Sequence, residues 1–253
     1  MCEIRRLAWS LLFFLVAILT LSSGLLAQGE QAQAPPVTEN VLQSPVIVIG
    51  ILGGIVKRND PVRSEVKLAE HLRETYPDGV FVETFENRHS KQALQAILNH
   101  LHATESGTLP ESEQRGARII LYGHSLGGSA VVQLARELEK HGIPVLLTIQ
   151  VDSVERLGQQ DGVIPPNVAR VVNFYQPNGL IHGRARIRAQ DPSRTQIIGN
   201  YRLEYKAHPV ACPEYPWYEL TVAPTHTEIA CDPNVWLHVE ALIRQQIGMK
   251  NGM

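Results

Sequence analysis

Five short apolar runs limit how this chain of 253 residues can fold. They are PVIVIG (45–50), GVFVETF (79–85), RIILYG (118–123), PVLLTIQV (144–151) and VARVVNFY (168–175). They lack the clean alternation of a strand with one wet face, so they read as strands buried on both faces. Helical patterns fill the gaps between them. Asp60-Pro61 offers a cap and a first-turn proline for a helix to about Tyr76, striped by Val66, Leu68, Ala69 and Leu72. Ser90 can cap a second helix, carrying Leu94, Ile97, Leu98 and Leu101. A third carries Val131, Val132, Leu134, Ala135 and Leu138 and stops at His141-Gly142. The last starts at Asp232-Pro233 and carries Val235, Trp236, Val239, Leu242 and Ile243. Such alternation predicts an α/β fold: a mostly parallel central sheet with helices on both faces, a three-layer sandwich in one domain over residues 45–253. Apolar residues make up 44% of the chain, enough for a sizeable core. A net charge of −2 gives no field that would recruit nucleic acid.

Residues 1–27 have a different character. Arg5 and Arg6 precede the apolar run Leu7 to Leu21, and small and polar residues follow. Those are the parts of a secretory signal peptide, cleaved after Ala27 or near the Ala32-Gln33-Ala34 triplet. The stretch from Leu7 to Ala27 is also long enough to span a bilayer, so an uncleaved anchor with the domain facing outward is the alternative. Residues 28–44, rich in Gln, Ala and Pro, read as a linker. Either way the domain is expected to be exported, periplasmic or extracellular. Membrane association through the N-terminal segment is expected only if that segment stays attached. Loss of residues 1–27 leaves Cys212 and Cys231, an even pair that reads as a disulfide in an exported protein. Two free buried thiols are the alternative.

Gly123-His124-Ser125-Leu126-Gly127 lies where the third strand must stop and a helix must start. A serine boxed by glycines in that context matches G-x-S-x-G, the sharp strand-to-helix turn that exposes a nucleophilic oxygen. Gly123 and Gly127 leave room for the neighbouring backbone. The Leu126 N–H, at the helix N-terminus, points where an oxyanion would form. A serine hydroxyl is a weak nucleophile unless a base takes its proton and an acid orients that base. His226, in APTHTEIACDP, lies in the loop expected before the final helix, where such a base belongs. His182 and His208 are weaker candidates; His141 and His238 are poorly placed at or inside helices, and His124 is expected to pack beneath the turn. Asp152 ends the fourth strand, at the sheet edge where active sites gather. The fifth strand ends in NFYQPNG with no carboxylate, leaving Asp161 and Asp191 as fallbacks. A second oxyanion donor is expected from the loop Gly50-Ile51-Leu52-Gly53-Gly54, at Ile51 first and Leu52 second.

The stretches VIVIGILGG, LYGHSLGG, VDSV and PTHTEI resemble the α/β-hydrolase superfamily over roughly residues 45–247, most closely its small lipase and esterase members. Ile49-Gly50 stands where that family usually has His-Gly. The resemblance implies hydrolysis of an ester, thioester or related acyl bond with no cofactor and no metal. The expectation is therefore an exported serine hydrolase cleaving a lipid-like or small acyl ester through Ser125, His226 and Asp152. A thioesterase or amidase with the same triad, or a non-catalytic binding protein on this fold, is the alternative.

Two further features bear on the substrate. Arg184, Arg186 and Arg188 alternate with Ala185, Ile187 and Ala189, which predicts a strand with one basic face. Asp191-Pro192-Ser193 would turn it into a β-hairpin over 180–205, a solvated excursion, a lid or a contact for an anionic surface. Tyr215, Trp217 and Tyr218 could line an acyl pocket.

Overall fold

In a computed structural model of the protein, described here for residues 46–102, 109–156 and 158–248, each apolar run lies in a strand of one parallel sheet. Those strands are β1 (Val46–Leu52), β2 (Val80–Glu86), β3 (Arg118–His124), β4 (Val145–Val151) and β6 (Val168–Tyr175). With β8 (Gln196–Arg202) they form a six-stranded sheet in the order β2-β1-β3-β4-β6-β8, every neighbour parallel. Two short strands, β5 (Val163–Ile164) and β7 (Arg188–Ala189), pair separately.

The unalternating strand sequences have a simple cause, which is that both faces are covered. Ile47, Ile49 and Ile51 of β1 pack with Ala93, Ile97 and Leu98 of α2 (Ser90–His100) and with Val131, Leu134 and Leu138 of α4 (Leu126–Lys140). Val46 and Val48 face the other way, onto Leu68 and Leu72 of α1 (Ser64–Thr75) and Val239 and Ile243 of α7 (Pro233–Gly248). The expected three-layer α/β sandwich is thereby borne out.

Several local expectations need correction. Helix α1 starts at Ser64, not at Asp60. Asp60 instead builds a turn ahead of it: its carboxylate accepts from the Val62 N–H at 3.1 Å and its carbonyl from the Arg63 N–H at 3.1 Å. Ser90 is the first residue of α2 and makes no capping hydrogen bond, because a 3₁₀ turn, Asn87–His89, leads into the helix. A short helix, α3 (Glu111–Gly116), precedes β3.

The hairpin over 180–205 does not form. Asp191 does turn the chain, accepting from the Ser193 N–H at 2.9 Å and the Ser193 hydroxyl at 2.7 Å. Its two arms do not pair with each other, however. Arg188 and Ala189 join Val163 and Ile164, while β8 continues the main sheet beside β6, both in parallel register. Ile197 and Ile198 explain the preference: successive residues of β8 reach opposite layers of the core, which a solvated hairpin would leave in water. The basic strand face also goes, since only Arg188 of the three arginines is in a strand.

Beyond β8 lie two short helices without a clear sequence signal, α5 (Trp217–Val222) and α6 (Pro224–Cys231). A disulfide joins Cys212 to Cys231, with Cα atoms 5.9 Å apart, and encloses both helices in its loop. The expected leader over 1–27 and linker over 28–44 lie outside the described residues. Among the described residues no helix is long and apolar enough to cross a membrane.

Candidate active site

At the C-terminal end of β3 the chain reverses into α4 through Ser125, whose φ of 57° and ψ of −126° lie far from ordinary L-residue conformations. Strain of this kind typically costs about 1–3 kcal/mol and persists only where the surroundings enforce it. The enforcement is visible on both sides. The Ser125 N–H donates to the Val151 carbonyl of β4 at 2.9 Å, and α4 presses onto the end of β1. A methyl group on Gly127 would sit 2.0 Å from the Ile51 carbonyl oxygen, so only glycine fits there.

Ser125 is the first member of a hydrogen-bonded chain. Its Oγ lies 2.9 Å from His226 Nε2, and His226 Nδ1 lies 2.6 Å from Asp152 Oδ2. With Nδ1–H donated to the carboxylate, the Nε2 lone pair faces the serine hydroxyl. Asp152 follows β4 and is fully buried. Its carboxylate also accepts from the Gly183 N–H at 2.6 Å, from Gln176 Nε2 at 2.9 Å and from the Gln176 N–H at 3.2 Å. Those donors offset the cost of removing a carboxylate from water. His226 is carried by α6, not by a loop as expected, and the Thr225 hydroxyl ties that helix start to the Asn178 carbonyl at 2.8 Å. The two fallback acids lie elsewhere: Asp161 accepts from Ser153 Oγ at 2.6 Å, and Asp191 is in its turn.

A cavity of 560 Å³ opens over Ser125 and His226. Its apolar wall includes Ile55, Val56, Val154, Ile181 and Val222. Tyr215 and Tyr218 line it, while Trp217 does not and is 76% exposed. His124, expected beneath the turn, instead lines this cavity, with its ring centroid 4.6 Å from that of His226. Burial, reinforced by the nearby His226 and Arg63, holds the His124 pKa well below the ordinary histidine range, so the ring stays neutral.

The oxyanion side differs in part from expectation. Leu126 lines the cavity at the first turn of α4. Ile51 does not: it is fully buried within β1, paired with Phe85 on one side and Gly123 on the other. Leu52, the second choice, is still inside β1 and faces Glu86. The strand runs two residues further than its apolar run suggested, which shifts the cavity-side backbone to Gly53 and Gly54. A methyl group on Gly53 would meet Ser125 Cβ at 2.8 Å, a measure of how closely this loop passes the elbow.

Two features of the wall went unanticipated. Glu65, in the first turn of α1, is only 2% exposed and lines the cavity. Burial pushes its carboxyl up to about 7, even though it accepts from the Gly53 N–H and from its own. A signal existed: Glu65, Leu68, Ala69 and Leu72 share the i, i+3, i+4, i+7 stripe, so a carboxylate stood in the apolar pattern. The second feature is a bidentate pair. Arg63 Nη1 and Nη2 donate to the Glu219 carboxylate at 2.7 and 2.6 Å, with the guanidinium 5.0 Å over the Tyr215 ring. No sequence signal joins residues 63 and 219.

A parallel sheet between two helical layers, with a strained serine between its third strand and the following helix, is an α/β-hydrolase fold. No family model matches the chain, and no curated protein matches it. Among solved structures the chain is similar to a dienelactone hydrolase from Anabaena variabilis, at 10% identity and a TM-score of 0.42 over 81% of this chain and 86% of that one. It is also similar to Est1E from Butyrivibrio proteoclasticus, at 13% identity and a TM-score of 0.40 over 82% and 90%. An acetyl xylan esterase gives 13% and 0.40 over 81% and 99%.

Proposed function

We propose that the protein is a serine hydrolase that cleaves carboxylic esters through an acyl-enzyme intermediate. The observation that carries this reading is the hydrogen-bonded chain Ser125–His226–Asp152 at the floor of an apolar cavity. Ser125 Oγ attacks the ester carbonyl carbon while His226 Nε2 takes its proton. Asp152 holds the imidazole in the tautomer that can accept, and stabilises the imidazolium that forms. The Leu126 N–H and the Gly54 N–H, the Gly53 N–H being engaged by Glu65, receive the oxyanion as charge develops. His226 then protonates the departing alcohol. A water molecule, deprotonated by the same nitrogen, releases the acid and restores Ser125.

The apolar side chains around the cavity favour a lipid-like or small acyl group over a charged one. The Cys212–Cys231 disulfide supports an exported protein, since such bonds persist in oxidising compartments.

The test is covalent labelling with a fluorophosphonate, read by intact mass on the folded wild type and on Ser125→Ala. One adduct per chain, absent from the variant, is the expected result. An unlabelled wild type with its disulfide intact would end the proposal.

A further inference from the structure

A second cavity, of 540 Å³, is lined by Glu155, Gln160, Gly162, Arg184, Arg186 and Arg188 and shares no lining residue with the cavity over Ser125. Its charge arrangement is built rather than scattered. Arg184 lies across Gly162, where a methyl group would meet its Cδ at 2.5 Å. Arg184 Nε donates to Asp161 Oδ1 at 3.1 Å, and the guanidinium pairs with Glu155. Asp161 is itself fully buried and held by the Ser153 hydroxyl, so Arg184 is pinned from behind. Asn173 Nδ2 fixes the backbone at the same point by donating to the Arg184 carbonyl at 2.8 Å.

Arg186 and Arg188 differ from Arg184. Both are exposed and line the cavity on either side of Ile187, which is buried at its wall. The Arg188 N–H donates to the Gly162 carbonyl at 2.9 Å, which sets the strand against the far wall. Neither side chain has an ion-pair partner among the described residues. Three guanidinium groups thus meet two carboxylates, one of which is buried behind the wall. The imbalance is concentrated in a concavity and is not spread over a solvated strand face.

We propose that this cleft is a binding site for a soluble phosphoryl-type polyanion, held by Arg186 and Arg188 with Arg184 and Gln160 at its edge. Guanidinium forks donate paired hydrogen bonds to the oxygens of such groups, and two forks without partners can share one dianion. The concave shape favours a compact solute over a flat lipid surface. The site requires nothing of Ser125.

The experiment is calorimetric titration of the full chain with inorganic pyrophosphate at low ionic strength. It is run beside Arg186→Gln/Arg188→Gln, Arg244→Gln and Ser125→Ala. Saturable binding by the wild type is expected, with affinity reduced about thirtyfold or more in the double variant as two charge-assisted contacts are lost. Ser125→Ala and Arg244→Gln should bind like the wild type. Thermal melts of the double variant matching the wild type would show that its fold is kept. If it unfolds, Arg186→Lys/Arg188→Lys takes its place, keeping charge but losing the fork, and should weaken binding several-fold. Absence of saturation at 10 mM pyrophosphate, on the order of the weakest affinity worth calling a site, would overturn the proposal. Equal weakening by Arg244→Gln would overturn it too, as would binding only to anionic phospholipid vesicles.

Discussion

The centre of the sheet and the segment from Gln176 to Cys231 contribute to the same site in opposite ways. Ser125 and Asp152 stand at the ends of β3 and β4, strands whose every neighbour is another strand or a packed helix. His226 belongs to the short helix α6, which buries Thr227, Ile229 and Ala230 beside it, while α5, in the cavity wall, has no buried residue at all. What fixes them is a handful of directed ties. These are the Cys212–Cys231 bond, the Arg63–Glu219 pair, and Thr225 on Asn178. The Tyr205 hydroxyl adds one more, donating to Asp232 Oδ2 at 2.9 Å. Ser125 and Asp152 are held by core packing, which resists change everywhere at once, whereas His226 and the cavity wall around α5 depend more on bonds that can be cut singly.

Cutting at the centre should cost the most. Asp152→Asn keeps size and the bonds that Oδ1 accepts from the Gly183 and Gln176 N–H groups, but presents an amide NH2 where His226 and Gln176 Nε2 need an acceptor. On the proposed mechanism kcat falls by about 10⁴-fold. A fall of less than tenfold would remove Asp152 from its assigned role. Gly127→Ala tests packing in the same place. Alanine favours a helix over glycine by about 1 kcal/mol, but its methyl would lie 2.0 Å from the Ile51 oxygen, which is backbone and cannot swing aside. Overpacking of that kind costs roughly 1–3 kcal/mol or more, so the clash wins. Urea denaturation should show net destabilisation of about 2 kcal/mol together with slow fluorophosphonate labelling. A variant as stable and as reactive as wild type would show that the elbow has slack.

Cutting in the segment should separate stability from chemistry. Replacing Cys212 and Cys231 by serine opens a loop spanning 19 positions, and the chain-entropy argument gives a loss of about 3 kcal/mol. The bridge holds the frame of α5 and α6, so labelling of Ser125 should slow in urea concentrations that leave the far-UV spectrum of the sheet intact. Loss of labelling and of sheet signal at the same concentration would mean that the segment is as cooperative as the centre, and the comparison would fail.

The same division governs what could be read from the sequence. The five apolar runs, the elbow at Gly123–Gly127, Asp152 at a strand end and His226 ahead of the last helix are local patterns, set by burial on both sheet faces or by one tight turn. The structure brings Ser125, Asp152 and His226 together as their positions suggested. The segment between β6 and α7 is not legible in the sequence because its order comes from distant partners. Arg184 looked like one of three equivalent strand residues until Asp161 and Glu155 claimed it, and Ile197 and Ile198 looked like a hairpin arm until β6 took them as a sheet edge. Ile51 is two residues short for a smaller reason: β1 persists through Leu52, and two residues of extra strand move the loop backbone to Gly53.

Glu65 belongs to neither region, since it reaches from α1 to the Gly53 loop, and it yields the smallest effect. Its carboxyl is moved from the ordinary 4.5 to about 7 because burial opposes the charged form. An acid with a raised pKa in the folded state binds its proton more tightly there than in the unfolded chain. Its favourable contribution is complete below about 4.5 and is lost as pH rises through 7. A shift of this size corresponds to at most about 3 kcal/mol, and relaxation around the charged form would reduce it. Glu65→Gln mimics the neutral acid and keeps an oxygen for the Gly53 N–H. At pH 4 the two proteins should therefore unfold at similar urea concentrations. At pH 8 the variant should be the more stable by about 1–3 kcal/mol, the gap opening between the two pKa values. Parallel stability profiles across that range would mean that Glu65 titrates as an ordinary carboxylate, and that the wall of the cavity is wetter than its packing implies.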